Sequence, residues 1–195
     1  MKKVFLVLSV VISNFGFSQN PVKLFETNPK PYEFRSKQSV DSLIAFTQQP
    51  IDSAGIQAEF LDLLNLYRRY NNVSELEIDS ELCLAANNQC KYMVANSYVG
   101  HEQTNGKFPK LVDRFIEYDK EFDWYKTKFG ENSLTVTHNI CFIRNRTIAE
   151  SALDLWANSK SHNQNQLNSI YTKIGISFIK SPIDNSIYSV VVFSN

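Results

Sequence analysis

The strongest constraint on this chain lies near its end. Lys173 to Ile179 and Ile187 to Phe193 are two β-branched and aromatic runs joined by Pro182-Ile183-Asp184-Asn185, a pattern that predicts a hairpin. In the second run Tyr188, Val190 and Val192 alternate with Ser189, Val191 and Phe193, so few polar side chains are left to face water on either side. Such a strand needs cover on both faces and is expected inside a sheet, not at a frayed terminus.

The segments before the hairpin are mainly helical in pattern. Phe60, Leu61, Leu63, Leu64 and Tyr67 recur at helical spacing up to Tyr70, with Asn71-Asn72 as the stop. Leu76-Glu77-Ile78 alternates like a short strand, and Asp79 or Ser80 can cap a second helix, Glu81 to Asn96. Pro109 suits the first turn of a third helix carrying Leu111, Val112, Phe115 and Ile116. Asn132 to Thr137 reads as extended. Thr147 then caps a fourth helix whose buried stripe is Ala149, Ala152, Leu153 and Trp156. Helices first and a terminal hairpin last predict the α+β class rather than a βαβ repeat.

The opening residues bear on compartment. Lys2 and Lys3 precede an apolar run from Val4 to Ile12, and Gly16-Phe17-Ser18 supplies small residues before a cut between Ser18 and Gln19. This predicts a signal peptide at residues 1–18 and a secreted protein, extracellular or periplasmic. The run is too short for a membrane span, which needs roughly 20 apolar residues. Residues 19–52, punctuated by Pro21, Pro29, Pro31 and Pro50, read as an N-terminal extension in which Ser39 to Phe46 could form a short helix. Residues 53–195 are then one domain, since cleavage leaves roughly 175 residues, too few to expect two. The formal net charge is zero and no basic cluster exceeds Arg68-Arg69, so nucleic acid is not an expected partner. A monomer is expected.

Three cysteines raise a question of pairing. Cys83 and Cys90 fall on one predicted helix, about 10 Å apart along its axis, beyond the roughly 7 Å reach of a bridge. Either one of them joins Cys141, or all three are reduced and buried as small hydrophobes, which is the expectation for a core of this size. His138 lies three residues before Cys141, but no orienting third group marks the two as a nucleophile and its base.

Several polar motifs stand out in sequence order. They are Leu64-Asn65-Leu66-Tyr67-Arg68, Tyr98-Val99-Gly100-His101, Asn105-Gly106-Lys107, Asp113-Arg114, Gly130-Glu131-Asn132 and Trp156-Ala157-Asn158-Ser159-Lys160-Ser161-His162. Their order and spacing resemble the CAP superfamily, the cysteine-rich secretory, antigen-5 and pathogenesis-related class 1 proteins, also called SCP domains, and in particular its bacterial-type members. The resemblance covers roughly residues 56 to 194. It implies an α-β-α sandwich, a small and mainly antiparallel sheet between helical layers.

It also implies a central cleft holding His101, Glu131 and His162. In many animal and plant members a second glutamate stands where this chain has Ser159, which removes one carboxylate from the cleft. Two neutral imidazoles can hold Zn²⁺ or another divalent metal, so His101 and His162 are the expected metal ligands, with Glu131 as a further ligand or as the group that orients a histidine. Asn132 is expected to bond its own backbone in a Gly-Glu-Asn turn. Three functions are weighed. The first is a binding module for an extracellular small molecule, lipid, peptide or cell-wall component, with His101, Glu131, His162 and Ser159 lining the cleft. The second is a metal-assisted hydrolase using His101, Glu131 and His162. The third is an interaction domain with a vestigial cleft. The missing carboxylate and the lack of a nucleophile favour binding over catalysis.

Overall fold

The computed structural model describes residues 41, 44, 45, 47–123, 125–137, 141 and 146–195. The predicted signal peptide, most of the extension and His138 lie outside the described residues. The elements in order are α1 (Ser53–Tyr70), β1 (Glu77–Ile78), α2 (Ser80–Asn96), α3 (Leu111–Tyr118), β2 (Phe129–Thr137), α4 (Ile148–Ala157), α5 (Lys160–Gln166), β3 (Lys173–Lys180) and β4 (Ser186–Ser194). The class is α+β. Among the described residues no helix is long and apolar enough to cross a membrane.

The strands form one sheet in the order β1-β3-β4-β2. β4 is antiparallel to both neighbours, while β1 pairs with β3 in parallel, so the terminal strand is internal, as its two-sided apolar pattern requires. Alternation along β4 divides the core in two. Ile187, Val191 and Phe193 pack with Phe60 and Leu64 of α1 and with Leu153 and Trp156 of α4. Tyr188, Val190 and Val192 pack on the opposite face with Leu82, Ala86, Cys90 and Met93 of α2 and Phe115 of α3. The sheet therefore lies between two helical layers. Burying each such Leu or Phe contributes about 2 kcal/mol.

Close approach fixes how one of these layers sits. A Cβ on Gly175 of β3 would collide with the backbone of Leu82 and Cys83, so α2 lies directly on the strand where only glycine leaves room. Helix starts follow the expected chemistry. Asp52, Asp79 and Thr147 accept the backbone N–H of Gly55, Leu82 and Glu150 at 3.0, 3.0 and 3.1 Å, and Glu150 returns the bond to Thr147 N at 2.9 Å.

Two sequence expectations are corrected, and one helix is added that the sequence did not signal. Pro109 precedes α3 instead of opening it, because Asp113 takes the Lys110 N–H at 2.8 Å and makes Lys110 the cap. Gly130-Glu131-Asn132 forms no turn but lies within β2, paired with Phe193, Val192 and Val191. Lys160 to Gln166 is helical, although it has no apolar residue to signal a helical face.

Cys83 and Cys90 are free thiols. Cys90 is fully buried, donates to Tyr188 O at 3.1 Å and has its pKa pushed up to about 12 by burial. Cys83 does not share that site, lying half-buried beside Ile176 and Ser177 of β3. Of the extension, residues 41, 44, 45, 47 and 48 are helical, and Lys180 Nζ donates to the carbonyls of Thr47 and Gln49, both at 2.6 Å.

Candidate functional site

Successive residues of a strand point to opposite faces, and two neighbours in β2 use this to reach opposite layers. Glu131, level with Val192 on the α2/α3 side, meets Arg114 of α3. Asn132, level with Val191 on the α1/α4 side, donates from Nδ2 to the backbone carbonyl of His162 in α5 at 3.1 Å. β2 is an edge strand, so a loop from one layer and a helix from the other can meet beside it. They carry the two histidines. The imidazole centroids of His101 and His162 stand 6.5 Å apart, tilted at 52°.

His101 sits on the connection between α2 and α3. That connection is held from beneath by buried amides: Gln89 donates to Gly100 O at 2.7 Å, and Gln103 donates to Gln89 Oε1 at 3.1 Å and Asn88 Oδ1 at 2.7 Å. Gln103 N also donates to Pro109 O at 2.9 Å, closing the loop. The Tyr98 side chain lies over Gly100 and leaves no space for a Cβ there. The His101 side chain is 51% exposed, and its Nδ1 lies 2.9 Å from Glu131 Oε1. The other carboxylate oxygen, Oε2, accepts from Arg114 Nη2 at 2.5 Å, where the side chains of Arg114 and Glu131 are 0% and 2% exposed. The same guanidinium lies 3.4 and 3.5 Å from the carbonyl oxygen of His101.

His162 is placed through its main chain. Besides Asn132, Asn165 of α5 donates to Asn132 Oδ1 at 2.8 Å and to Glu131 O at 3.3 Å. Asn163 accepts from the hydroxyl of Tyr67 in α1 at 2.9 Å. Burial pushes His162 below the usual imidazole range, and the nearby His101 acts in the same direction. Ser159 is the N-cap of α5 and makes no capping bond through its hydroxyl. Among the described residues, no three His, Cys, Asp or Glu side chains converge as metal ligands.

The amides Gln89, Gln103 and Asn165 are site-building residues that sequence reading left out, and Arg114, singled out there only as part of the Asp113-Arg114 motif, was given no role at the site. Arg114 had a signal: it follows Leu111 by three residues and precedes Phe115, which puts a charge on the apolar stripe of its helix. The amides had none, because a buried Gln is indistinguishable in sequence from a solvated one. Two other motif residues serve the frame. Arg68, fully buried, donates to the carbonyls of Ser74 (2.6 Å), Gln166 (2.6 Å), Asn168 (3.2 Å) and Tyr171 (3.0 Å). Asn65 exchanges both of its amide bonds with the backbone of Leu76 at 3.0 and 2.9 Å.

Comparison with known proteins agrees with this architecture. The family model for CAP, the cysteine-rich secretory protein family, matches residues 61–193, and the chain belongs to that family. An uncharacterized Bacillus subtilis protein, YkwD, is 25% identical over 135 residues, 69% of this chain and 47% of that one. This chain thus spans less than half of that relative. Among solved structures, an outer surface protein of Borrelia burgdorferi aligns with a TM-score of 0.61 at 22% identity, over 75% of this chain and 97% of the other. An extracellular SCP-domain protein of Bacillus anthracis aligns with a TM-score of 0.59 at 23% identity, over 75% of this chain and 44% of the other. At these identities the structural likeness speaks for the fold.

Proposed function

We propose that this chain is an exported binding module, its cleft between His101 and His162 taking an extracellular ligand, a lipid, peptide or cell-wall component, with a divalent cation such as Zn²⁺ held by the two imidazoles. The observation that carries this reading is the pair of rings 6.5 Å apart, approached from opposite sides of β2. A tetrahedral ion bonded at about 2 Å to a nitrogen of each ring sets the centroids about 5 Å apart, so a rotation of the half-exposed His101 ring toward His162 brings the pair into ligating range. The donor chemistry fits. Depressed basicity keeps His162 neutral, and a carboxylate on the non-ligating nitrogen of His101 is the usual support for a metal-binding histidine. A bound ion would supply a Lewis acid for a ligand oxygen. Tyr98 and Val99, both 42% exposed, offer apolar contact close to His101 in sequence.

Export is supported by the signal-like residues 1–18 and by two fold relatives described as an outer surface protein and an extracellular protein. Hydrolysis is the weaker reading. It would need Glu131 as a proton acceptor for water, yet both carboxylate oxygens are engaged, one by His101 and one by Arg114.

Calorimetric titration of Zn²⁺ at about pH 7.5 into the wild type, His101→Ala and His162→Ala tests the cleft. At least a tenfold loss of affinity is expected in each variant. Equal binding by all three proteins would overturn the metal site.

A further inference from the structure

We infer that Arg114 is the positioning residue of the cleft: it holds His101 at both main chain and ring, and through Glu131 fixes the imidazole as the Nδ1–H tautomer with an unprotonated Nε2. The inference rests on the reading of the cleft above as a binding site. It adds a residue and a tautomer, and therefore the kind of ligand atom His101 can meet.

The chain of contacts starts at the buried charge. A guanidinium does not lose its proton in a protein and only donates hydrogen bonds. Arg114 is fully buried, so its partners must be acceptors: Glu131 Oε2 at 2.5 Å and, more distantly, the His101 carbonyl oxygen at 3.4 and 3.5 Å. Paired in this way, Glu131 is a carboxylate, and a carboxylate only accepts. The hydrogen in the 2.9 Å contact between Glu131 Oε1 and His101 Nδ1 therefore belongs to the nitrogen. In a neutral imidazole the other nitrogen must then carry the lone pair. That atom, Nε2, is on the opposite side of a ring that is 51% exposed.

With Nε2 as an acceptor, His101 suits a cation or a hydrogen-bond donor such as a hydroxyl or ammonium group, and disfavours a carbonyl or carboxylate oxygen presented directly to it. Substitution at Arg114 should show the same division of labour. Lysine supplies a charge but not the fork that reaches both Glu131 and the His101 carbonyl, so Arg114→Lys should restore the ring more fully than the loop.

The test is ¹⁵N NMR of the imidazoles in metal-free protein at about pH 8.5, two units above the ordinary histidine value of about 6.5. In the wild type, His101 Nε2 should resonate as a pyridine-type nitrogen and Nδ1 as a pyrrole-type one. Arg114→Met should shift Nε2 toward the pyrrole type as Glu131 loses its hold and the tautomers mix, with His162 unmoved. Arg114→Lys should recover most of the wild-type pattern. Glu131→Asp, which keeps the pairing with Arg114 but withdraws the oxygen from His101 by one methylene, should also mix the tautomers, and it decides the matter if Arg114→Met does not fold. A pyrrole-type Nε2 in the wild type, or tautomers unchanged in Arg114→Met and Glu131→Asp, would overturn the inference. Zn²⁺ titration of the same samples separates the two claims. Retained binding with the wrong tautomer removes only this inference, while the expected tautomer without Zn²⁺ binding removes only the metal reading.

Discussion

Among the described residues two arginines are fully buried, one in each helical layer, and their roles differ. Arg68 of α1 directs its donors to four backbone carbonyls, between residues 74 and 171. It ties the end of the first helix to the segment around α5 and touches no acidic group among those bonds; burial lowers its basicity. Arg114 of α3 meets a carboxylate instead, and that carboxylate touches an exposed ring. Carbonyls satisfy a buried cation and end the chain of contacts there. A carboxylate neutralises the cation and still has a second oxygen with which to orient something else. The first arrangement builds a frame, the second a site.

Removing what both layers share should have the largest effect. β4 lies between β3 and β2 and supplies apolar side chains to both layers, so deleting the last eight residues should abolish the cooperative thermal transition. A truncated protein melting near the parent would contradict the central placement of this strand.

The next effect separates the arginines. Arg68→Met strips donors from four carbonyls and should destabilise by about 3–5 kcal/mol, leaving the His101 tautomer as it was. Arg114→Met and Glu131→Leu should each cost about 3 kcal/mol, because each leaves a buried charge without its partner. The double variant should be more stable than either single one, and Arg68→Met combined with Arg114→Met should be additive within about 0.5 kcal/mol, as the two share no partner. Denaturant unfolding of the set measures all of these. A strictly additive Arg114/Glu131 pair would mean that the ion pair is not the unit described here.

The smallest effect concerns pH. Burial holds His162 below its ordinary value, so between the folded value and about 6.5 the unfolded chain binds more protons than the folded one. Stability then rises with pH through that window and is lost as pH falls below about 6.5. Unfolding of metal-free protein between about pH 5 and 7.5 should show this slope, and His162→Ala should flatten it. An unchanged slope in the variant would assign the titration to another group.

Legibility followed physical signal strength. The hairpin, the α1 stripe and the α4 stripe were readable because their patterns are dictated by burial on one or two faces. The motif residues His101, Glu131 and His162 could be singled out through resemblance, which also implied a common cleft, yet the contacts that hold them there could not be read. α5 escaped because Lys160-Ser161-His162-Asn163-Gln164-Asn165-Gln166 has no hydrophobic period. It is held by polar bonds to β2 and α1, which leave no trace in local sequence.

By itself, then, the sequence determined the element types wherever apolar periodicity was strong, the α+β class and the internal position of the last strand, because those depend on which side chains avoid water. Only tertiary structure decided that Gly130-Glu131-Asn132 is strand and not turn, that Glu131 and Asn132 reach opposite layers, and that Arg114 stands behind His101. These outcomes depend on which partner lies across a gap in space, a quantity that neighbours in the chain do not encode.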